Sequence, residues 1–203
     1  MRWLGRQEGR SSLHSHATIL DVGCGNGRNL IYLAKEFGAR GVGYDSSAEA
    51  VAQARTAGKG LPVEFRVRSL QDMLPLPDAS VTLALDMMSS HVLHADERAI
   101  LRDELWRVLR PGGWLFFKTF LADGDLHLRR LTREHGAAEP NSYIHPTFGH
   151  FEHAWTIDEL EEFFLPQFEI HKLDKSHKHL RRRGGRTQAF RRRTVSAYLQ
   201  RRD

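Results

Sequence analysis

The sequence predicts an α/β fold, a parallel sheet with helices on both faces. Short apolar runs alternate with stretches whose apolar residues recur at helical spacing, which is the pattern of β-α-β units with right-handed crossovers. One of these runs, Val81–Leu85, is nearly continuously apolar, as expected of a central parallel strand covered on both sides. At 203 residues with 40% apolar content, the chain can bury one ordinary core. We therefore expect a single domain over residues 1–203.

The first half of the chain predicts four strands and two helices. The strands are predicted at Thr18–Val22, Gly41–Asp45, Val63–Arg68 and Val81–Leu85. The helix after the first strand has apolar residues at i, i+3, i+4 and i+7, and we expect it to run to Phe37 with Gly38 as its C-cap. Ser46 and Glu49 predict a capping box that opens the second helix. Strict alternation in the third strand places it at or near an edge of the sheet.

The second half predicts two helices and three strands around a long polar stretch. The helices are predicted at about Asp96–Leu109 and Thr156–Leu165, and the strands at Trp114–Phe120, Phe168–Leu173 and Thr194–Leu199. Pro111–Gly113 should stop the first of these helices. The last two strands have no helix pattern between them, so we expect an antiparallel hairpin. Residues 121–155 show no clean period over most of their length, and we expect this insertion to fold over the carboxyl ends of the strands as a lid.

Basic residues are concentrated at the C-terminal end of the sequence. Residues 172–203 contain 12 Lys and Arg against 2 Asp and Glu, a local net charge of +10, whereas the whole chain carries +5. Most of them fall in the predicted hairpin turn at 174–193, on the ligand side of the sheet. This turn would guide an anionic acceptor or a nucleic acid, or it is a solvated loop and edge strand protected by charge.

Composition also bears on where the protein works. No apolar run approaches the roughly 18 residues of a membrane span, so we expect no membrane association. The N-terminal residues lack the apolar core of a signal peptide. Cys24 is the only cysteine, which excludes an intrachain disulfide, and a cytoplasmic protein is the default expectation.

A glycine-rich loop lies between the first strand and the first helix. It reads Asp21-Val22-Gly23-Cys24-Gly25-Asn26-Gly27, with glycine at every second position after an acidic residue. Such a loop lets a ligand contact the backbone, because glycine lacks a Cβ atom and allows positive φ. Asp45 ends the second strand, where an acid binds ribose hydroxyls in dinucleotide folds. Arg28 occupies the place of the third dinucleotide glycine, which disfavours NAD, and Asp21 suits a cationic ligand.

Four ordered motifs resemble those of class I S-adenosylmethionine (SAM)-dependent methyltransferases of the small-molecule, type 11-like kind. They are the glycine loop, Gly43-Tyr44-Asp45-Ser46-Ser47 after it, Leu74-Pro75-Leu76-Pro77-Asp78-Ala79-Ser80 before the fourth strand, and Arg107-Val108-Leu109-Arg110-Pro111-Gly112-Gly113 before the fifth. The resemblance implies a Rossmann-like, doubly wound sheet of seven strands with an antiparallel last strand, in a three-layer sandwich. It also implies S-adenosyl-L-methionine as the cofactor and methyl transfer as the reaction.

The resemblance assigns cofactor contacts to individual residues. SAM would be held by Asp21, Gly23, Cys24, Gly25, Asn26 and Gly27 at its methionyl part, by Asp45 at the ribose with Ser46 next to it, by Ser69 and Leu70 along the adenine, and by Asp86 and Met87 beside the sulfonium. The family usually has an acid near position 69 for the adenine amino group, and this chain has Ser69 there. The alternative is that the glycines form only a tight turn, Asp45 only a helix cap and Asp86 only a polar strand end.

The sequence indicates the acceptor-binding residues less clearly than the cofactor-binding residues. Methyl transfer from a sulfonium is an in-line displacement that chiefly needs alignment and exclusion of water, and it needs a base only if the acceptor arrives protonated. The candidates for a base or an acceptor contact are His91, His94, His145 and His150, and the catalytic residues stay unassigned. A zinc site at the histidines after Tyr143 is disfavoured because no pair has i, i+4 spacing, so we expect no metal.

The sequence thus predicts a SAM-dependent methyltransferase with a small-molecule acceptor. Two alternatives stay open: a methyltransferase that acts on RNA or a ribosomal component through the basic C-terminal segment, and a SAM-binding regulator without turnover. Asp86-Met87-Met88-Ser89 stands where enzymes that methylate amino groups of bases or amides have an Asn-Pro-Pro-Tyr-type stretch. This difference lowers the expectation of a DNA or glutamine-amide substrate.

Overall fold

The computed structural model of the protein describes residues 13–176, 180–183, 186–189 and 191–203. Its strands are β1 (Thr18–Val22), β2 (Arg40–Asp45), β3 (Val63–Val67), β4 (Val81–Met87), β5 (Leu109–Phe120), β6 (Ser142–Ile144), β7 (Phe151–His153), β8 (Phe168–Lys175), β9 (Leu180–Arg183), β10 (Arg186–Ala189) and β11 (Thr194–Arg201). Its helices are α1 (Arg28–Phe37), α2 (Ala48–Ala57), α3 (Ala95–Val108), α4 (Leu126–His135) and α5 (Ile157–Phe164), with a 3-10 turn at Ser90–Val92. Through β5, the order of elements is the one that the sequence predicts.

Seven of the strands form one sheet in the order β3-β2-β1-β4-β5-β11-β8. Strands β1 to β5 pair in parallel, and β11 lies antiparallel between β5 and β8. The predicted seven-stranded, Rossmann-like sheet with an antiparallel last strand is therefore confirmed, and β3 lies at an edge as its alternation predicts. The parallel strands direct their carboxyl ends to one edge of the sheet, which is where ligands bind in open α/β folds.

Helices cover both faces of the sheet, which gives the predicted three layers. Helices α1 and α2 pack on one face, and α3 and α5 pack on the other. The central strand β4 sends Leu83 and Leu85 into the first of these cores and Ala84 into the second. Its continuous apolar sequence is explained by this double burial. Across the described ranges, no helix is both long enough and apolar enough to cross a membrane.

The start of β5 differs from its prediction. The strand begins at Leu109, directly after α3, and not at Trp114. Pro111–Gly113 does not separate the helix from the strand but forms a bulge within it, because Val81 pairs with Leu109 and Leu83 already pairs with Trp114. Proline and glycine are tolerated at such a bulge, where ladder hydrogen bonds are interrupted.

The capping residue of α2 is also displaced by one position from its prediction. The helix begins at Ala48, and its N-cap is Ser47 rather than Ser46. The Ser47 hydroxyl accepts a hydrogen bond from the Ala50 amide at 3.2 Å. An N-cap must directly precede the first helical residue, so Ser46 lies one position too early to cap the helix.

Residues 121–155 hold more regular structure than their sequence predicts. They contain α4 and a short antiparallel hairpin of β6 and β7. Both ends of the insertion are held at the end of β5, since the Trp155 amide donates to the Phe120 carbonyl at 3.0 Å and the Ala122 amide donates to the Trp155 carbonyl at 2.7 Å. The insertion therefore starts and ends at the carboxyl edge of the sheet. Its action as a lid stays a prediction.

Candidate cofactor and acceptor site

The glycine loop is shaped by three residues with left-handed backbone. The φ angles of Gly23, Gly25 and Gly27 are +65°, +52° and +78°. A Cβ atom on Gly23 would lie 2.1 Å from the Ser89 Cβ, and one on Gly27 would lie 2.6 Å from the Phe65 ring, whereas one on Gly25 would have no atom within 4 Å. Two glycines thus let the loop pack closely, and the third leaves open space where a ligand can approach the backbone.

Asp45 connects the end of β2 to this loop. Its Oδ2 accepts from the Gly25 amide at 2.7 Å, and its Oδ1 accepts from the Ser47 amide at 2.9 Å. Each carboxylate oxygen can accept more than one hydrogen bond, so Asp45 can still bind two ribose hydroxyls. The next residue, Ser46, is exposed. The structure therefore places Asp45 beside Gly25, as a shared cofactor contact requires.

Asp21 is a fully buried carboxyl group at the end of β1. In the described part of the chain, neither of its oxygens has a hydrogen-bond partner. Burial, followed by the charges of Asp86 and Asp45, raises the pKa of Asp21 to about 8, and the nearby Leu30 amide opposes this rise without reaching hydrogen-bond geometry. A buried carboxyl without a partner is rare in folded proteins. A cationic ligand such as the ammonium group of SAM would supply the missing partner.

The remaining loop residues have different surroundings. Cys24 is buried, and its amide donates to the Tyr44 carbonyl at 2.9 Å. Burial raises the pKa of the Cys24 thiol to about 12, so this thiol is not a nucleophile at neutral pH. Asn26 is exposed at the tip of the loop. Their contribution to cofactor binding stays a prediction, and the structure gives Cys24 a packing role.

The segment predicted to lie along the adenine follows β3. The Arg68 amide donates to the Asp45 carbonyl at 2.9 Å, so Ser69 lies close to the ribose-binding end of the site. The Ser69 hydroxyl accepts from the Gln71 amide at 3.2 Å, and Leu70 is buried in the core beside α3. Asp72, the nearest acid, is exposed. The expected contacts of Ser69 and Leu70 with adenine stay predictions.

Asp86 and Met87 are the last two residues of β4. Asp86 is buried, and its Oδ1 accepts from the Ser90 amide at 3.2 Å and lies 2.6 Å from the Ser89 hydroxyl. Burial raises the pKa of Asp86, and these hydrogen bonds oppose that rise. Asp86 therefore fixes the short turn that follows β4, and Met87 packs towards the opposite face of the sheet.

The four candidate histidines lie in different environments. His91 is 9% exposed, its Nδ1 has no partner among the described residues, and burial lowers its pKa to about 4. His94 lies 3.0 Å from a Glu139 oxygen and is held at the start of α3. His145 accepts from the Thr147 amide within the tip of the β6–β7 hairpin, and His150 lies 3.0 Å from a Glu152 oxygen. Only His91, of these four, combines burial with a nitrogen that is left for a ligand.

Arg192 is a site residue that the sequence does not single out. Its Nε donates to Asp125 at 2.7 Å, and its Nη1 donates to the Tyr143 hydroxyl at 2.5 Å. The Tyr143 hydroxyl in turn donates to Glu152. The interpretation of the basic segment as wholly solvated is therefore wrong at Arg192, whose side chain is 17% exposed and packs against residues of the insertion. The sequence of three consecutive arginines does not indicate which of their side chains packs against the rest of the protein.

The rest of the predicted basic turn at 174–193 contains a short hairpin. Strands β9 and β10 pair antiparallel within it. Residues 177–179, 184–185 and 190 lie outside the described residues. Within the described ranges, no three His, Cys, Asp or Glu side chains are placed to hold a metal ion. The contribution of this turn to acceptor or nucleic-acid binding stays a prediction.

Comparison with known proteins gives the same family as the site. A family model described as a methyltransferase domain matches residues 19–113. The ubiquinone biosynthesis O-methyltransferase of Xylella fastidiosa is 33% identical over 110 residues, which are 52% of this chain and 42% of that protein. A tRNA U34 carboxymethyltransferase of Shewanella piezotolerans is 30% identical over 115 residues, 55% of this chain and 34% of that protein. The chain thus spans less than half the length of these curated relatives.

A solved structure resembles the chain over nearly its whole length. The crystal structure of a SAM-dependent methyltransferase from Methanosarcina mazei matches with a TM-score of 0.78 and 26% identity, and the match covers 95% of this chain and 96% of that one. The fold and the glycine-loop site define a class I SAM-dependent methyltransferase. The methyltransferase-domain match covers the glycine-loop half of the chain, and together with the Methanosarcina mazei structure it supports SAM as the cofactor.

Proposed function

We propose that the protein transfers the methyl group of SAM to a small-molecule acceptor. The observation that carries the cofactor half of this proposal is the buried, unpartnered Asp21 carboxyl beside the open space at Gly25. A small-molecule acceptor is supported by the relative from Xylella fastidiosa, which is named for O-methylation in ubiquinone biosynthesis. It is also supported by the position of the 121–155 insertion at the end of β5, where it can cover a small acceptor.

The residues of the site bind, orient and shield. When bound, SAM supplies a methyl group on a sulfonium, which is already a good leaving group. Asp21 and the loop would hold the methionyl part, and Asp45 would hold the ribose. The turn after β4, fixed by Asp86, would form the wall towards the acceptor. Holding two reactants in line and excluding water are the main contributions that such a displacement needs from the protein.

Binding of SAM is tested first by isothermal titration calorimetry. Asp45→Ala removes the carboxylate that holds the loop and the ribose, so we expect SAM affinity to fall at least about tenfold, the loss expected for one or two hydrogen bonds to a charged group. Asp158→Ala is the matched control, because Asp158 is exposed in the first turn of α5, away from the glycine loop. An affinity that Asp45→Ala leaves unchanged would contradict the cofactor site.

The acceptor is tested with methyl-labelled SAM. Label is supplied to the protein together with either a metabolite extract or total RNA, and the products are separated by size and identified by mass spectrometry. Label in a small metabolite supports the proposal. Label in RNA would favour the second candidate function, a methyltransferase that acts on RNA. That function is supported by the net charge of +10 over 172–203 and by the similarity to the tRNA U34 carboxymethyltransferase of Shewanella piezotolerans. Tight SAM binding with no labelled product from either source would instead indicate a regulator.

A further inference from the structure

Two polar side chains flank the ring of Phe120 where β5 ends at the ligand edge of the sheet. The His91 imidazole lies edge-on to it, with ring centroids 5.0 Å apart. The Arg192 guanidinium carbon lies 4.2 Å from the ring centroid on its face. These three side chains, here called the Phe120 cluster, come from the turn after β4, the end of β5 and the residues that lead into β11. Asp86, which the family resemblance places beside the sulfonium, fixes the turn that carries His91, and on that expectation the cluster faces the sulfonium side of the site.

Each polar member of the Phe120 cluster has one buried nitrogen to which the described residues offer no hydrogen bond. These atoms are Nδ1 of His91 and Nη2 of Arg192. His91 is more than nine-tenths buried at 9% exposure, and the Arg192 side chain is 17% exposed. Buried polar atoms in folded proteins are nearly always hydrogen-bonded. Two such atoms around one ring at the ligand edge therefore indicate a ligand that bonds to both.

The charges around the cluster indicate the kind of ligand. Asp125 pairs with Arg192 at 2.7 Å, and a Glu152 oxygen lies 3.9 Å from its Nη1, so two carboxylates surround one guanidinium. The charged and titratable groups that act on His91 are Glu152, His150, Arg192 and His153, and burial keeps His91 itself neutral. An anion would meet no net positive charge here. A neutral hydroxyl fits, because its oxygen can accept from an arginine N–H and its hydrogen can be donated to a neutral imidazole.

Resting on the proposed function, we propose that the acceptor is a neutral hydroxyl compound whose hydroxyl group binds between Nη2 of Arg192 and Nδ1 of His91. The hydroxyl oxygen forms the bond to the methyl carbon while the carbon–sulfur bond breaks and its electron pair goes to sulfur. The hydroxyl proton passes to Nδ1 of His91, where the charge of Glu152 stabilises the imidazolium against the effect of burial, and His91 later releases the proton to solvent. The cationic donor becomes a neutral thioether and one proton is released, so charge balances. His91 is the general base, and Arg192 orients the oxygen.

Phenol, benzoate and benzylamine are matched probes, because they share a benzene ring and differ in charge at pH 7. Each is titrated into the full chain, labelled with ¹⁵N-histidine and saturated with S-adenosylhomocysteine, while NMR follows the ring nitrogens of His91. The His91 signals are assigned by their loss in His91→Gln. We expect phenol to shift the Nδ1 signal and benzoate and benzylamine to leave it in place. Arg192→Lys should weaken the phenol effect about tenfold, the loss expected for one hydrogen bond.

Turnover provides the second measurement. His91→Gln should lower methyl incorporation from SAM into phenol by about 100-fold or more, the usual contribution of a general base, and leave S-adenosylhomocysteine affinity unchanged. His135→Gln is the control, because His135 is exposed at the end of α4. If His91→Gln does not fold, the His91 signals are assigned by their loss in His91→Asn, and the phenol titration of wild type and Arg192→Lys decides.

Three results would overturn the hydroxyl proposal. They are a benzoate or benzylamine shift larger than the phenol shift, a His91 signal that phenol leaves unchanged in the protein with S-adenosylhomocysteine bound, and undiminished methyl incorporation into phenol in His91→Gln. Failure of the wild-type protein to bind S-adenosylhomocysteine is a different result. It would refute the proposed function itself.

Discussion

Replacing Asp21 by asparagine should stabilise the ligand-free protein above pH 8. The pKa of this carboxyl rises from an ordinary value of 3.8 to about 8 on folding, first because it is buried and then because Asp86 and Asp45 lie nearby. The folded state therefore holds the proton more tightly than the unfolded state does. The stability that this group contributes is fully present below about pH 4 and is lost as pH rises to about 8. Over about four pKa units, the loss reaches roughly 5 kcal/mol.

Urea unfolding at a series of pH values measures this effect. The amide of Asp21→Asn resembles the protonated acid and does not titrate, so below about pH 4 the two proteins should differ little. Between about pH 5 and pH 8 the variant should gain about 1.4 kcal/mol in the free energy of unfolding per pH unit relative to wild type, and the gain should level off above pH 8. Asp72→Asn, at an exposed loop position, is the control and should show no such trend. A difference between Asp21→Asn and wild type that does not change with pH would refute the reasoning.

The same substitution should separate stability from function. At pH 7 a group with a pKa of about 8 is about nine-tenths protonated, and a bound ammonium group would lower that pKa. SAM binding to wild type should then release nearly one proton more than binding to Asp21→Asn. Calorimetry in two buffers of different ionisation enthalpy measures this release. The variant should also bind SAM more weakly, although it is the more stable protein. Equal proton release in both proteins would contradict a contact between Asp21 and the cation.

Three further tests concern the loop, a helix cap and a buried ion pair, each by urea unfolding. Gly23→Ala places a Cβ atom 2.1 Å from the Ser89 side chain and should lower the free energy of unfolding by about 3 kcal/mol. Gly25→Ala places its Cβ atom more than 4 Å from any heavy atom outside its chain neighbours and should lower this free energy by about 1 kcal/mol. Gly25→Ala should also weaken SAM binding, as measured by calorimetry. Ser47→Ala should cost about 1 kcal/mol and Ser46→Ala almost nothing, and equal costs would contradict the cap. Asp125→Asn removes the buried carboxylate that pairs with Arg192 and should cost about 3 kcal/mol, and a cost below about 1 kcal/mol would show that this pair does not hold the insertion.

The cofactor half of the site could be predicted from sequence because its signals are local. The loop glycines have positive φ, and Asp45 bonds directly to the Gly25 amide, so spacing along the chain already encodes the geometry. The edge position of β3 is similarly visible, because only Phe65 of its five residues is buried and the alternation survives in the sequence. The family resemblance adds the identity of the cofactor to these local signals.

The acceptor half could not be predicted because its contacts are between distant parts of the chain. Within α4, Leu128 is the one residue that is fully buried, so the helix leaves little apolar periodicity in the sequence. Strands β6 and β7 have three residues each, too few for an alternating pattern. Arg192 meets Asp125 across 67 positions, and nothing near either residue in the sequence marks the pair. The roles of the four histidines likewise depend on which of them the fold buries.

The position of β11 also sets a constraint on how the chain is made. Because β11 separates β5 from β8, neither of those strands has its neighbour on that side until residues 194–201 leave the ribosome. At about 5–20 residues per second, the interval from the end of β8 to the end of β11 lasts roughly one to five seconds. During this interval both strands present unpaired edges to other nascent chains. Mutations that slow the pairing of β11 would therefore reduce the yield of soluble protein before they change its final stability.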